Sequence, residues 1–247
     1  MLPFTGLKQP VGVAVDSAGS VYVTEGESDR VVKLAAGAST QTVLHFMHLA
    51  HPTGVAVDTA GTVYVADHGN NRVVKLAAGA TEPDTLPFTG LNGPQGVALD
   101  PAGNVYVSEF TGNRVVKLAA SSSSQTVLPF TGLDEPEGVA VDTAGNVYVA
   151  DDHNSRVLKL AAGSSTPTVL PFTGLSYPRS LAVDVAGDVV VADTGNMRVL
   201  KLAAGSSSQT ELPFTGLTDL NGVAVDAAGI VYVADGYGNQ VVKLLPG

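Results

Sequence analysis

The chain has 247 residues and a formal charge of −10, with no cysteine and no tryptophan. The negative balance argues against duplex nucleic acid as a partner, because phosphate recognition needs a basic footprint, and the lack of cysteine excludes disulfides and thiolate metal sites. Apolar residues make up 45%, enough for a large core rich in Val, Ala and Leu, yet no apolar run approaches the roughly 20 residues of a membrane span.

Read from the N-terminus, the chain starts in a block that returns. Leu2-Pro3-Phe4-Thr5-Gly6-Leu7 recurs from Leu86, Leu128, Leu170 and Leu212, with a degraded copy, Leu44-His45-Phe46-Met47-His48-Leu49. The spacing is 42 residues throughout. A second segment, Gly-Val-Ala-Val-Asp, follows from Gly12, Gly54, Gly96, Gly138 and Gly222, with Ser180 opening the fifth copy and Leu99 and Leu181 as the main apolar exchanges. A constant period of this length is the signature of a repeat architecture.

The second copy shows the elements in order. Val55-Ala56-Val57 predicts a small-residue strand suited to a crowded axis. Asp58-Thr59-Ala60-Gly61 predicts a tight turn, since Asp folds onto nearby backbone and Gly tolerates positive φ. Thr62 to Ala66 predicts a second strand from its β-branched and aromatic content. Asp67 to Asn71 reads as a turn, Arg72 to Leu76 as a third strand, Ala77 to Pro83 as a loop and Thr85 to Phe88 as a fourth strand. Four short strands per unit at this period predict an all-β, six-bladed β-propeller with four antiparallel strands per blade. One propeller domain is expected over 1–247. The last copy stops at Leu244-Leu245-Pro246-Gly247, so Met1 to Phe4 is expected to supply its fourth strand and close the last blade. The start in repeat sequence suggests an excised domain or a designed protein, with no leader.

Two charge columns read as structural. Lys33, Lys75, Lys117, Lys159, Lys201 and Lys243 share one position on the third strand. Arg30, Arg72, Arg114, Arg156 and Arg198 share another, with Gln240 in sixth place. Five residues before each stands an acid: Glu25, Asp67, Glu109, Asp151, Asp193 and Asp235. Pairing across each hairpin is expected, with Gln240 breaking one pair.

Gly-Val-Ala-Val-Asp, a nearby Gly, Val-Tyr-Val-Ala-Asp and then Asn-x-Arg-Val-Val-Lys-Leu resemble the NHL repeat over the whole chain. With Leu-Pro-Phe-Thr-Gly-Leu and Lys-Leu-Ala-Ala-Gly, the wording is similar to the extracellular sensor domain of mycobacterial Ser/Thr protein kinase D and to the symmetric Pizza propellers derived from it. The resemblance implies a propeller with a central channel and no catalysis of its own. It places the chain outside the cell if it derives from such a sensor, whereas the lack of a leader would leave it in the cytoplasm. The copies here are not identical, so a natural relative, an asymmetric design and a scaffold with a grafted site all remain open.

Variation among the copies collects in two windows: the link from fourth to first strand (Lys8 to Val11 and equivalents) and the turn after the second strand (His68 to Asn71 and equivalents). Alternating strand direction brings both to one end of the ring, where binding loops usually sit. Outside the charge columns, this end carries two bases, Lys8 and Arg179, against seven acids, Glu27, Asp29, Asp134, Glu135, Glu137, Asp152 and Asp219. A polar, cationic or metal-bearing ligand, peptide or protein is the expected partner of a monomer. The residue after each loop proline, Val11, Thr53, Gln95, Glu137 and Arg179, with Asn221 in the sixth loop, is expected to ring the channel mouth. His51, His68, Phe110, His153, Tyr177 and Tyr237 are secondary contacts.

Catalytic residues are not expected: no serine has a recognisable base and elbow, and the runs Ser121 to Ser124 and Ser206 to Ser208 read as connectors at the other end. The alternative is an enzyme or metal site at the mouth, and a third reading is a structural design without ligand. No cofactor is expected. Axial calcium would use the oxygens of Glu137, Asn221 and Gln95, against repulsion from Arg179. The other divalent-metal candidate is His48, His51 and His68; His45 should point the opposite way from His48, and His153 reads as a surface residue.

Overall fold

A computed structural model describes residues 1–120 and 122–246. Ser121, from the first serine run, and Gly247 lie outside the described residues. The six innermost strands are Pro10–Val15, Pro52–Val57, Pro94–Leu99, Pro136–Val141, Pro178–Val183 and Leu220–Val225. Each packs beside its two neighbours, and the first meets the sixth, so the ring is closed. From each, an antiparallel meander runs outward; in the second blade it passes through Val63–Asp67, Arg72–Leu76 and Asp84–Thr85. Five sheets have four strands and the sixth, Leu220–Val225, Val231–Asp235 and Gln240–Leu244, has three.

The sixth blade is completed by the N-terminal segment, but without a strand ladder. The Leu2 N–H donates to Val241 O at 2.9 Å, as Leu86 does to Val73 and Leu128 to Val115. Leu2 and Phe4 pack on the cluster containing Val241, Val23 and Val32. Only Met1 and Leu2 stand at positions equivalent to Val43 and Leu44 of the first blade's outer strand, too few to form more than one rung.

Three strand bounds of the second blade differ from the sequence expectation. The second strand is Val63–Asp67 rather than Thr62 to Ala66, so Asp67 ends the strand instead of opening the turn. The inner strand of the second blade starts at Pro52, ahead of Val55, and takes in the loop proline. The outer strand is Asp84–Thr85 rather than Thr85 to Phe88. After the rung made by Leu86 the chain turns off the ladder, the Phe88 N–H closing back onto Leu86 O at 2.8 Å, as Phe46 does onto Leu44 in the first blade, where His45 takes the place of the proline.

Glycine at the second position after the loop proline is required by the axis. A Cβ on Gly54 would lie 2.6 Å from Gln95 O of the next blade, and one on Gly96 2.6 Å from Glu137 O. Ser180 is accommodated in the fifth blade, where its hydroxyl accepts from the Val223 N–H at 3.1 Å. Between blades, apolar side chains interleave: Tyr22 and Val31 of the first pack with Val55, Val63, Val65 and Val74 of the second. Each such buried side chain contributes about 1.5–3 kcal/mol.

The charge columns are structural as expected. Arg30–Glu25, Arg72–Asp67, Arg114–Glu109, Arg156–Asp151 and Arg198–Asp193 pair at 2.6–3.0 Å, with every acid side chain fully buried. In the sixth blade Gln240 Nε2 donates to Asp235 Oδ2 at 2.9 Å, so a neutral hydrogen bond replaces the ion pair. Three of the lysines, Lys33, Lys117 and Lys159, lie about 5 Å from the ring centres of Tyr22, Tyr106 and Tyr148.

Candidate functional site

Each inner strand begins with an irregular step. In the second blade Pro52 lies opposite Asp67, the register then shifts, and regular pairing resumes at Val55 with Val65. A bulge of this kind re-aims side chains locally, and here it delivers the post-proline residue to the axis. Val11, Thr53, Gln95, Glu137, Arg179 and Asn221 all line one narrow axial channel of about 60 Å³. They also form the floor of a basin of about 570 Å³ on the same face. Gln9, His51, His68, Phe110, Asp219 and Tyr237 add to its walls. Both variable windows therefore meet at one end, as the alternation of strands predicts.

The floor is polarised around one cation. Arg179 Nη1 donates to Asn221 Oδ1 at 2.9 Å and sits 3.5 Å from Asp219 Oδ1, while its Nε lies 3.8 Å from Glu137 Oε1. Asn221 reaches back to Asp219 Oδ2 and across to Pro10 O. On the other side, Thr53 donates to Gln95 O at 2.8 Å. Burial pushes the Glu137 carboxyl up to about 8. The Arg179 charge and a Gln95 hydrogen bond work against that rise, and Asp152 and Glu135 add to it. The donors suggested for axial calcium are thus drawn toward a guanidinium: Glu137 and Asn221 both face Arg179, and this arrangement does not suit a dication.

The secondary residues divide. His51, His68, Phe110 and Tyr237 line the basin. Tyr177 is exposed and meets the His153 ring edge-on at 5.8 Å between centroids. His48, His51 and His68 do not converge on a metal-sized space. His48 is exposed and offers its carbonyl to Asn70 and Arg72, while the His68 ring contacts Pro94 O at 3.3 Å. Among the described residues, the one group of three His, Asp or Glu side chains close enough for a metal is Glu135, Asp152 and His153. His153 is exposed, as expected, but it is not isolated.

Part of the variable windows proves structural. Asp29, Asn71, Asn113 and Asn239 accept the backbone N–H of His51, Gly93, Glu135 and Gln9 in the next blade, at 2.7–2.8 Å. Each adopts a left-handed conformation with φ near +50°, which Asn and Asp tolerate best among residues with side chains. Asn70, Asn154 and Asn196 similarly donate to loop carbonyls. The recurrence of Asn and Asp at these positions was the available signal. Asp29 consequently leaves the set of acids free to meet a ligand.

The NHL repeat family pattern matches residues 49–76, 91–118, 133–160 and 175–202, one segment in each of four consecutive blades. The chain thus carries NHL repeats in four of its six blades and folds as a six-bladed propeller. A 50-residue stretch, 19% of the chain, is 62% identical to serine/threonine-protein kinase PknD of Mycobacterium tuberculosis, strains H37Rv and CDC 1551 / Oshkosh. That stretch spans 8% of the kinase's length. Among solved structures, the Xanthomonas campestris gluconolactonase XC5397 superposes with a TM-score of 0.80 at 17% identity, over 99% of this chain and 89% of the other. A streptogramin B lyase gives 0.74 at 14%, over 97% and 84%, and a chain of a nidogen/laminin complex 0.73 at 20%, over 92% and 93%. At these identities the likeness is one of fold.

Proposed function

We propose that this propeller is a non-catalytic binding module of the sensor-domain type, taking a polar, cation-bearing small ligand or peptide segment in the basin at the channel mouth. The observation that carries the reading is the basin itself: its lining comes almost wholly from positions that differ among the six copies, and so from residues the blade does not need. Asp219 and Asp152 set an acidic field around the single Arg179, to which Glu137 adds as pH rises through about 8, and Phe110 and Tyr237 offer apolar and aromatic walls. The relation to PknD, a kinase whose sensor region is a propeller, supports the same class. A closed ring with few free strand edges fits a monomer.

The test is a thermal-shift and calorimetric screen of polyamines, cationic amino acids and short basic peptides. Measured at pH 8.5, where Glu137 is mostly ionised, binding should be saturable and should be lost in Asp219→Asn and in Glu137→Gln. Ligands that bind equally to both variants would remove the basin from the account. An enzymatic reading has one observation in its favour. Glu137 is a buried carboxyl that titrates near neutrality, a property general acids and bases share, and the fold is also that of a lactonase and a lyase. Lactone hydrolysis that disappears in Glu137→Gln would favour that reading over the first.

A further inference from the structure

The rim of the fourth blade carries a constellation that the other five lack. Glu135 stands where the other copies have Gln9, His51, Gly93, Tyr177 and Asp219. Asp152 stands where they have Gly26, His68, Phe110, Thr194 and Gly236. His153 replaces Gly69 of the second blade. His153 Nε2 lies 2.7 Å from Glu135 Oε2 and 3.9 Å from Asp152 Oδ2. One ligand atom from each of the three falls within 4.8 Å of the other two. Three ligands at about 2.0–2.2 Å from a tetrahedral ion sit roughly 3.4 Å from one another, so only small side-chain shifts separate this arrangement from a coordination shell.

A second observation points the same way. Asp152 is only 4% exposed, and its buried Oδ1 has no hydrogen-bond partner. A buried carboxylate oxygen left unpaired is costly. The fold does not require an acid there, since glycine, phenylalanine and threonine fill the same place in other blades. Where that place holds a donor, the donor is satisfied by the next blade: Thr194 reaches Leu220 O at 2.6 Å, and the His68 ring contacts Pro94 O. Asp152 brings an acceptor to that place and no protein donor reaches its Oδ1, so a bound cation would satisfy it. Arg179, whose charge also acts on Asp152, is held by Asn221 and Asp219.

We propose that Glu135, Asp152 and His153 bind a divalent transition-metal ion of the zinc class at the edge of the basin, with water in the remaining position. One imidazole and two carboxylates suit such an ion better than calcium or magnesium, which favour oxygen alone. The backbone fixes two of the ligands from different loops. The Glu135 N–H donates to Asn113 Oδ1 at 2.8 Å, and the His153 N–H to Asp134 O at 3.3 Å. The ion would join the fourth-to-first-strand link to the following hairpin turn. The inference does not depend on the basin binding any organic ligand.

Cobalt(II) is the probe. Chelator-treated full-length chain, titrated with cobalt(II), should develop visible ligand-field bands that saturate at one equivalent, and zinc(II) should displace them. His153→Ala and Glu135→Gln, both near the surface and checked for folding by far-UV circular dichroism, should each weaken binding by more than about tenfold, because even outer contacts to a metal ligand are worth roughly that much. The double variant His51→Ala/His68→Ala should bind as the parent does. Absence of saturable bands, bands that persist in His153→Ala, or bands lost only in the double variant would overturn the assignment.

Discussion

The two ends of the ring solve different problems with the same 42-residue unit. At the end opposite the basin, each copy turns on one aspartate. Asp58 Oδ1 accepts the N–H groups of Ala60 and Thr62, and its Oδ2 takes the Tyr64 hydroxyl; Asp16, Asp100, Asp142 and Asp226 repeat the arrangement. Burial opposes charge on Asp100, but the hydrogen bonds from Asn104 and Tyr106 outweigh it and hold its carboxyl below the usual range. At the basin end, burial wins: Glu137 rises to about 8 and Asp152 to about 6, each with too few donors to offset it. The column acids Asp67, Asp151 and Asp193 at the basin end are as well served by donors as the turn aspartates, so Glu137 and Asp152 stand apart as the carboxyls whose burial is not offset.

That contrast can be broken most forcefully at a buried ion pair. Asp67 is held between the Arg72 guanidinium and the Ala50 N–H, so Asp67→Ala should cost about 3–5 kcal/mol in denaturant unfolding. A loss below 1 kcal/mol would mean that the columns are ornaments of the repeat. Next comes the axis: Gly96→Ala, whose Cβ would meet Glu137 O, should cost about 1–3 kcal/mol, read in the same experiment. By contrast, changing Val11, Thr53, Gln95, Glu137, Arg179 and Asn221 to Ser together should leave stability nearly unchanged while removing ligand binding. A large loss of stability would assign the ring to folding.

Glu137 sharpens the comparison through pH. A carboxyl that titrates near 8 in the folded chain and near 4.5 unfolded keeps its proton longer when folded. Its stabilising share is therefore complete below about pH 4.5 and is lost as pH climbs to 8, at no more than about 1.4 kcal/mol per pH unit. Glu137→Gln should match the parent near pH 4 and become progressively more stable relative to it by pH 8.5; equal stability at both values would deny the raised titration. The smallest effect is expected at Gln240→Arg, which restores the sixth pair with Asp235. The five existing arginines are about a third exposed, so solvent screening limits the gain to about 0–1 kcal/mol.

Much of this was legible in the chain because six copies act as their own comparison. The period and the turn residues lead to the propeller, the charge columns to the ion pairs, and strand alternation to the face on which the variable windows meet. The limits have physical causes. The outer strand ends early because the Phe88 N–H turns back onto Leu86 O instead of extending the ladder, and the inner strand starts early because the bulge lets Pro52 pair with Asp67. The asparagines at 71, 113 and 239 look variable in a window read as loop, yet they carry contacts between blades. The three histidines at 48, 51 and 68 are close in sequence, but convergence depends on side-chain direction at left-handed positions such as His48 and His51. Glu135 and His153 are 18 residues apart, and only the folded rim shows them as neighbours.

The most direct test of the central claim is amide chemical-shift mapping of the isotopically labelled propeller during titration with a cationic ligand from the screen. Perturbations should concentrate on the loops bearing Val11, Thr53, Gln95, Glu137, Arg179 and Asn221 and leave the Asp58 to Gly61 turn and its equivalents unmoved. Shifts centred on those turns, or spread evenly over both ends of the ring, would contradict it.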